Sequence, residues 1–145
     1  MENRIYKTKV LWSQMDPNQH LRHSAYADIA ASARLDLLEA GGIDMTVLAR
    51  IKFGPVLFKE ELVYRKEVHG VQEITVRSYL KRIERAYSRW AIVSEIYRQD
   101  GELACIVSVE GAWIDLKIRK VASLPEEYRA AFLNTPKTED FQIID

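Results

Sequence analysis

The chain has 145 residues, a length that fits one domain with its own hydrophobic core. Apolar residues make up 48% of the chain and charged residues 29%, and 21 basic residues balance 21 acidic ones. This composition excludes a disordered or fibrous chain, and it excludes an overall charge that would draw the molecule to nucleic acid or to an anionic membrane.

The cysteine content and the N-terminal residues indicate a cellular compartment. The single cysteine, Cys105, cannot form an intramolecular disulfide, which fits a reducing environment. The first residues lack the apolar segment of a signal peptide, and no stretch approaches the roughly 20 apolar residues of a membrane span. We therefore expect a cytoplasmic protein without a membrane partner, and we expect Cys105 to be an inert core residue.

An amphipathic helix over residues 24–40 is the clearest predicted element, and a strand over residues 4–12 precedes it. Ser24 is a suitable N-cap, and Gly41-Gly42 can adopt the positive φ that ends a helix. The helix is predicted because apolar side chains recur at three- and four-residue spacing. They are Tyr26, Ile29, Ala30, Ala33, Leu37 and Ala40.

Strands are predicted after the helix. Beyond Pro55 the apolar residues alternate with period two, which is typical of a long strand with one exposed face. The Asp100-Gly101 pair predicts a hairpin with a type I′ turn, because both central positions of that turn need a positive φ. Three further β-rich runs cover residues 73–84, 87–98 and 102–116.

The end of the chain completes the predicted fold. A short helix is expected near Pro125, and residues 134–145 are expected to form a flexible tail. We expect residues 1–145 to form a single α+β domain. In this domain a five-stranded antiparallel sheet wraps around one long central helix.

The loop before the long helix holds one carboxylate, Asp16, and two of the three histidines, His20 and His23. A helix N-terminus presents unpaired N–H groups and the positive end of the helix dipole, so it can stabilise an oxyanion. A carboxylate seven residues upstream can act on the same carbonyl as a nucleophile or a general base. The alternatives are that Asp16 is a turn residue, or that Asp16, His20 and His23 bind a metal ion.

Several short segments of the chain, taken together and in the order in which they occur, resemble the 4-hydroxybenzoyl-CoA thioesterase family of hotdog proteins. The resemblance covers residues 4–132 and is carried by the loop 16–26, Ala33-Arg34, Phe53-Gly54-Pro55, Asp100-Gly101 and Leu124-Pro125-Glu126-Glu127. It implies a hotdog fold and a cofactor-free acyl-CoA thioesterase in which Asp16 acts on the thioester carbonyl. It also implies that the backbone N–H of His23 polarises this carbonyl, and that Ser24 and Tyr26 contact the substrate.

Basic residues around the junction of the predicted strands 73–84 and 87–98 are candidates for binding the coenzyme A phosphates. Arg82, Arg85 and Arg89 lie within nine residues of one another, and guanidinium groups bind phosphate oxygens well. The alternative is a solvated hairpin tip. No recognised module for nucleic-acid binding surrounds them.

The resemblance also implies a homodimer or homotetramer, and apolar residues on both faces of the predicted strands around Val93 and Val107 favour a subunit contact. The expected substrate is a thioester of CoA or of an acyl-carrier protein. Two other functions stay open: a non-catalytic hotdog domain that binds acyl-CoA or a protein partner, and a hotdog dehydratase.

Overall fold

The computed structural model describes residues 4–145, in which seven strands form one sheet. A short 3₁₀ turn at Trp12–Gln14 follows the first strand. The helices are α1 (His23–Ala40), α2 (Met45–Ile51) and α3 (Glu126–Leu133). The strands are β1 (Ile5–Lys9), β2 (Phe53–Tyr64), β3 (Glu73–Glu84), β4 (Arg89–Tyr97), β5 (Leu103–Asp115), β6 (Lys120–Val121) and β7 (Lys137–Ile144).

Five of the strands form an antiparallel sheet in the order β1-β3-β4-β5-β2, which confirms the five-stranded prediction. Two strands were not predicted. The two-residue β6 pairs with the end of β5, and β7 pairs in parallel with β3. Helix α1 packs against β1, β3, β4 and β5, so its apolar side forms the core together with the inner face of the sheet.

Helix α1 confirms the predicted apolar face except at Ala40, which is exposed. The helix begins at His23, one residue earlier than predicted, and its N-cap is Arg22. The prediction that Ser24 is the N-cap is therefore wrong. The Ser24 hydroxyl instead accepts a hydrogen bond from Arg22 Nε over 3.0 Å.

The turn between β4 and β5 differs from the predicted type I′ turn. Gly101 has a φ of 87°, but Asp100 is not in the left-handed region. The Gly101 N–H donates to the Arg98 carbonyl, and the Arg98 N–H donates to the Glu102 carbonyl. This is the longer hairpin loop, in which a type I turn is followed by a glycine at positive φ.

Residues 137–144, which were expected to belong to a flexible tail, form β7 in the structure. The N–H of Leu80 donates to the Pro136 carbonyl, and the N–H of Arg85 donates to the Ile144 carbonyl, both over 2.7 Å. Strand β7 covers the part of β3 from Leu80 to Glu84, whereas β1 pairs with residues 73–77 of the same strand. The two terminal strands thus share one edge of β3.

The apolar residues of β4 and β5 are largely buried within the single chain. Trp90, Ile96 and Val107 are in the core, while Val93 and Ile106, on the outer face, are half-buried. Most of the exposed apolar residues of the sheet lie instead on β2, which is an edge strand; Val121 of β6 and Ile143 of β7 are also exposed.

Candidate functional site

The loop before α1 is a tight turn organised by Asp16. One carboxylate oxygen, Oδ1, accepts hydrogen bonds from the backbone N–H of Asn18 over 2.8 Å and of His20 over 3.0 Å. The Asp16 N–H donates to the His20 carbonyl, and Gln19 takes a φ of 67° to close the turn. Asp16 therefore makes the contacts expected if it were only a turn residue, which is one of the alternatives above. The same contacts hold its half-buried carboxylate in place.

A second segment, which follows β2, holds this loop. The Leu21 N–H donates to the Val68 carbonyl over 2.8 Å. His20 Nε2 lies 3.1 Å from Glu67 Oε2, and the rings of His20 and His69 pack edge to face with centroids 5.0 Å apart. These contacts fix the loop relative to the sheet.

The first turn of α1 lies beside the end of β2. The Tyr64 hydroxyl donates a hydrogen bond to the His23 carbonyl over 3.2 Å, and the Tyr64 ring packs edge to face on Tyr26. The Ala25 N–H donates to the Arg22 carbonyl. Among residues 4–145, the N–H groups of His23 and Ser24 have no backbone acceptor, as expected at a helix start.

Asp16 and the start of α1 line one cavity of about 290 Å³. The cavity wall comprises Asp16, His20, Leu21, His23, Tyr26, Tyr64, Arg65, Lys66 and Glu67. The structure therefore brings together three predicted site residues, Asp16, His23 and Tyr26. Ser24 lies next to His23 in the helix but is not part of this wall.

Sequence reasoning identifies Arg65-Lys66 as basic residues that could bind the coenzyme A phosphates, but it does not place them, or the other residues contributed by β2 and the following segment, beside Asp16. Tyr64, Arg65, Lys66 and Glu67 are distant from Asp16 in the sequence, and only the sheet places them at the same cavity. Lys66 Nζ also lies 3.3 Å from Glu102 Oε1. The only sequence signal for these residues was the run of charged residues, Arg65 to Glu67, directly after β2.

The predicted phosphate-binding arginines lie elsewhere within the chain. Arg82 pairs with Glu110, Arg85 pairs with Asp145, and the Arg89 guanidinium lies over the Phe58 ring. Their distance from the cavity follows from the strand register. Tyr64, at the cavity, is aligned across β5 and β4 with Val76 of β3. Ile83, which lies beside these arginines, is seven residues further along β3, so the arginines are roughly 23 Å from the cavity at the rise of a strand.

Tyr26, one of the two tyrosines that line the cavity, is neutral at physiological pH. Burial raises the pKa of Tyr26 to about 12 and raises the pKa of the neighbouring Cys105 thiol to about 11. The Tyr26 hydroxyl is therefore protonated and can donate a hydrogen bond. The cavity wall also contains two acidic residues, Asp16 and Glu67, and two basic residues, Arg65 and Lys66.

The structure does not gather Asp16, His20 and His23 into a metal centre. Within residues 4–145, no group of three or more His, Cys, Asp or Glu side chains has the arrangement of a metal site. In the same part of the chain, the helices are too short or too polar to cross a membrane.

The profile of the thioesterase-like superfamily matches residues 10–132. Solved structures of similar fold include a hypothetical protein from Staphylococcus aureus in complex with CoA, with 19% identity and a TM-score of 0.84 over 92% of this chain and 86% of the other. A DHNA-CoA thioesterase from the same organism has 20% identity and a TM-score of 0.81, with 89% and 87% covered. The probable thioesterase YbaW from Escherichia coli has 21% identity and a TM-score of 0.76, with 92% and 98% covered.

No curated protein matches the sequence. The family match nevertheless covers most of the chain, and the shared fold is that of hotdog thioesterases, with the curled antiparallel sheet packed on α1. The chain therefore belongs to the thioesterase-like superfamily, and it has the α+β hotdog fold.

Proposed function

We propose that the protein is an acyl-CoA thioesterase that hydrolyses a thioester to a free acid and a thiol, with Asp16 as nucleophile or general base. The observation that supports this most directly is that Asp16 and the N-terminal turn of α1 line the same cavity. A reacting carbonyl in this cavity would have a carboxylate on one side and helix N–H groups on the other.

The hydrogen bonds of Asp16 leave one oxygen available for the chemistry. Oδ1 accepts two backbone N–H groups, and Oδ2 makes no hydrogen bond within the described residues. Because the turn restrains the carboxylate, little orientational freedom would be lost when Oδ2 meets a substrate or a water molecule.

Two routes fit this geometry. In the first, Asp16 attacks the thioester carbonyl carbon, the carbon–sulfur bond breaks to release the thiolate, and water then hydrolyses the mixed anhydride. In the second, Asp16 takes a proton from a water molecule that attacks the same carbon, and the carbon–sulfur bond then breaks to release the thiolate and leave the acid. In both routes the N–H of His23 stabilises the negative oxygen. A thiol pKa near ~8.5 makes the thiolate a good leaving group without strong acid assistance.

The substrate assignment is a thioester of CoA or of an acyl-carrier protein. One solved structure of similar fold holds CoA, and another is a DHNA-CoA thioesterase. Within one chain, Arg65 and Lys66 are cations at the cavity that could contact carrier phosphates. Arg82, Arg85 and Arg89 would reach the same substrate only if a second subunit brought them near.

We also propose a homodimer or homotetramer. Strand β2 pairs only with β5 in the described chain, so its outer edge has free backbone groups. Exposed apolar side chains also mark β2, namely Leu57, Phe58, Val63 and Tyr64. Because β2 ends at the Asp16 cavity, a second copy on this edge would help to enclose the site. Light scattering gives the mass in solution, and a monomeric mass would contradict this part of the proposal.

A cytoplasmic location is the remaining part of the proposal. It is supported by Cys105, the only cysteine, whose thiol is fully buried and unpaired, as is usual for proteins of reducing compartments.

The test is hydrolysis of acetyl, medium-chain, long-chain and aromatic acyl-CoA by the protein and by the Asp16→Asn variant, with release of the free thiol as readout. Asn keeps the turn contacts but is neither a nucleophile nor a base. We expect a fall in kcat of about 10²- to 10⁴-fold, the usual contribution of such a group. The matched control is Asp28→Asn, an exposed aspartate on α1 that should keep full activity.

Full activity of Asp16→Asn would overturn the role of Asp16. Tight CoA binding without turnover of any acyl-CoA would instead support the non-catalytic hotdog domain.

A further inference from the structure

The turn between β5 and β6 extends past the rest of the sheet. Asp115, the last residue of β5, pairs with Phe53 of β2 on one side and with β6 on the other. Residues 116–119 therefore lie beyond the first residue of β2, and they pair with no strand of the described chain. Asp115 Oδ1 accepts a hydrogen bond from the Lys117 N–H over 2.8 Å, and the Asp115 carbonyl accepts one from the Arg119 N–H over 2.7 Å. The turn is thus a fixed projection of the sheet.

This projection carries exposed apolar side chains. Residues 116–121, which we call the β5–β6 tip, are all exposed. Leu116, Ile118 and Val121 have exposed fractions of 41%, 61% and 39%. A single exposed apolar residue is ordinary on a protein surface, but three within one short turn form a patch that needs an explanation.

The same tip is strongly cationic. Lys117, Arg119 and Lys120 alternate with the apolar residues, and none of them forms an ion pair within residues 4–145. Lys52, whose carbonyl accepts a hydrogen bond from the tip, is also exposed. The neighbouring carboxylate, Asp115, is engaged in holding the turn. Because the whole chain has 21 basic and 21 acidic residues, this excess of positive charge is local, and its complement is an anionic surface.

The size and position of the tip favour a lipid surface over a protein. A specific protein interface takes roughly 20–30 residues from each partner, whereas the tip has six. A bilayer needs no matching shape, since Lys and Arg attract anionic headgroups while neighbouring apolar side chains enter the acyl boundary. A second copy of the chain on the outer edge of β2 would leave the tip uncovered, because β6 lies on the opposite side of β5 from β2.

We propose that the β5–β6 tip binds reversibly to an anionic lipid surface, with its apolar side chains among the lipids and its cations at the lipid phosphates. This departs from the expectation of no membrane partner, which rests on the composition of the whole chain. The proposal does not depend on the proposed hydrolysis. Cys105, level with Tyr64 at the Asp16 cavity, is ten residues before Asp115, or roughly 33 Å along the strand.

Co-sedimentation with lipid vesicles tests the proposal on the full chain. The probes are vesicles of phosphatidylcholine alone and of equal parts of phosphatidylcholine and phosphatidylglycerol. We expect binding to the mixed vesicles only. It should weaken about tenfold or more between 0.1 M and 1 M salt, where the Debye length falls from about 10 Å to about 3 Å. No binding to the mixed vesicles, or equal binding to both kinds, would overturn the proposal.

Charge variants then locate the surface. Lys117→Gln/Lys120→Gln should weaken binding to the mixed vesicles roughly 25-fold, because each cation near an anionic surface contributes about fivefold. The matched control is Lys7→Gln/Lys9→Gln, which removes the same charge from exposed positions of β1. Equal losses in the two variants would mean that net charge alone governs binding, which would contradict a role of the tip.

A second pair of variants tests the apolar contact. Ile118→Ser keeps the charge of the tip and should weaken vesicle binding by about tenfold, since it removes buried hydrocarbon. Val71→Ser is the matched control, because Val71 is 50% exposed in a different loop, and it should bind as the unaltered protein does. Unchanged binding of Ile118→Ser would show that no apolar side chain enters the lipid, and the proposal would fail.

Three other partners have their own signatures. If Lys117→Gln/Lys120→Gln raises KM for acyl-CoA and leaves vesicle binding unchanged, the cations serve the phosphates of the substrate. If the protein binds poly-glutamate and not the vesicles, the partner is an acidic protein. If Ile118→Ser lowers the mass in solution without weakening vesicle binding, the tip contacts a second copy of the chain. Each of these results would overturn the assignment to a lipid surface.

Discussion

The Tyr64 hydroxyl at the end of β2 donates a hydrogen bond to the carbonyl of His23, the first residue of α1, over 3.2 Å. This bond joins β2 to the first turn of α1, where the N–H groups of His23 and Ser24 have no backbone acceptor among residues 4–145. It ties the position of that turn to the sheet.

Tyr64→Phe removes this bond and keeps the ring contact with Tyr26. A hydrogen bond contributes a net ~0.5–1.5 kcal/mol, so its full loss from the transition state would lower kcat up to about tenfold. The melting temperature should change little, since Tyr64 is exposed. The matched control is Tyr128→Phe, whose hydroxyl accepts from Arg50 Nη2 and does not line the cavity. Equal effects of the two variants on kcat would contradict the role of Tyr64.

Gly111 in β5 has no room for a side chain. A Cβ atom there would lie 2.1 Å from the Val56 carbonyl oxygen and 2.8 Å from the nearest atom of the Trp90 ring. Gly111→Ala should therefore force β2 and β5 apart and cost at least the ~1–3 kcal/mol of an overpacked core. Gly54→Ala, where the nearest atom would be 3.8 Å away, is the control and should be tolerated. Urea unfolding measures both, and a stable Gly111→Ala protein would refute this account.

Ser78 of β3 and Ser94 of β4 face each other, with their hydroxyl oxygens 2.8 Å apart. Both residues are buried, with exposed fractions of 5% and 0%. Replacing one serine by alanine leaves the other hydroxyl buried without its partner, which costs about 1–3 kcal/mol. Replacing both removes the unpaired group. We expect the double variant to be more stable than the two single effects predict. A double-mutant cycle by urea unfolding checks this, and simple additivity of the two effects would contradict it.

Stability should fall at alkaline pH because burial raises the pKa of Cys105 from 9.0 to about 11 and that of Tyr26 from 10.0 to about 12. Below about pH 9 both groups are protonated in the folded and unfolded states. As the pH rises further, the unfolded chain releases its protons first, so stability is lost between pH 9 and pH 12. The measurement is urea unfolding at several pH values.

Cys105→Ala provides the comparison for the alkaline prediction. It should remove the part of the decline that begins near pH 9 and leave the part that begins near pH 10, where Tyr26 and Tyr97, whose pKa values are raised to about 12 in the folded state, lose their protons in the unfolded chain. Alanine also costs stability at every pH, so the slopes are compared and not the absolute values. An unchanged slope between pH 9 and 10 would contradict the assignment to Cys105.

The predictable parts of this protein are those that depend on local sequence. Helix α1 follows from apolar spacing within one segment, and the turn at Asp16 and the helix start at His23 are only seven residues apart. Both therefore have a signal that can be read from neighbouring residues.

The parts that were missed depend on contacts between distant residues or on short elements. Tyr64 and Glu67 reach the Asp16 cavity only because β2 pairs with residues 105–115 of β5. The sequence of β7 gives no clear signal for a strand, because most of its residues are exposed and it has no clear apolar face. It is recognised as a strand only by its parallel pairing with β3, some 60 residues earlier. Helix α2 has seven residues, too few to show a period, although the Asp44 carboxylate does cap it.

The shared edge of β3 has a consequence for biosynthesis. Strand β1 covers the first part of this edge and is made early, but β7, which covers the rest, leaves the ribosome more than 50 residues after β3 does. At roughly 5–20 residues per second, this half of the edge stays open for several seconds in the nascent chain. During that interval its free N–H and carbonyl groups are a surface on which another unfinished polypeptide can pair.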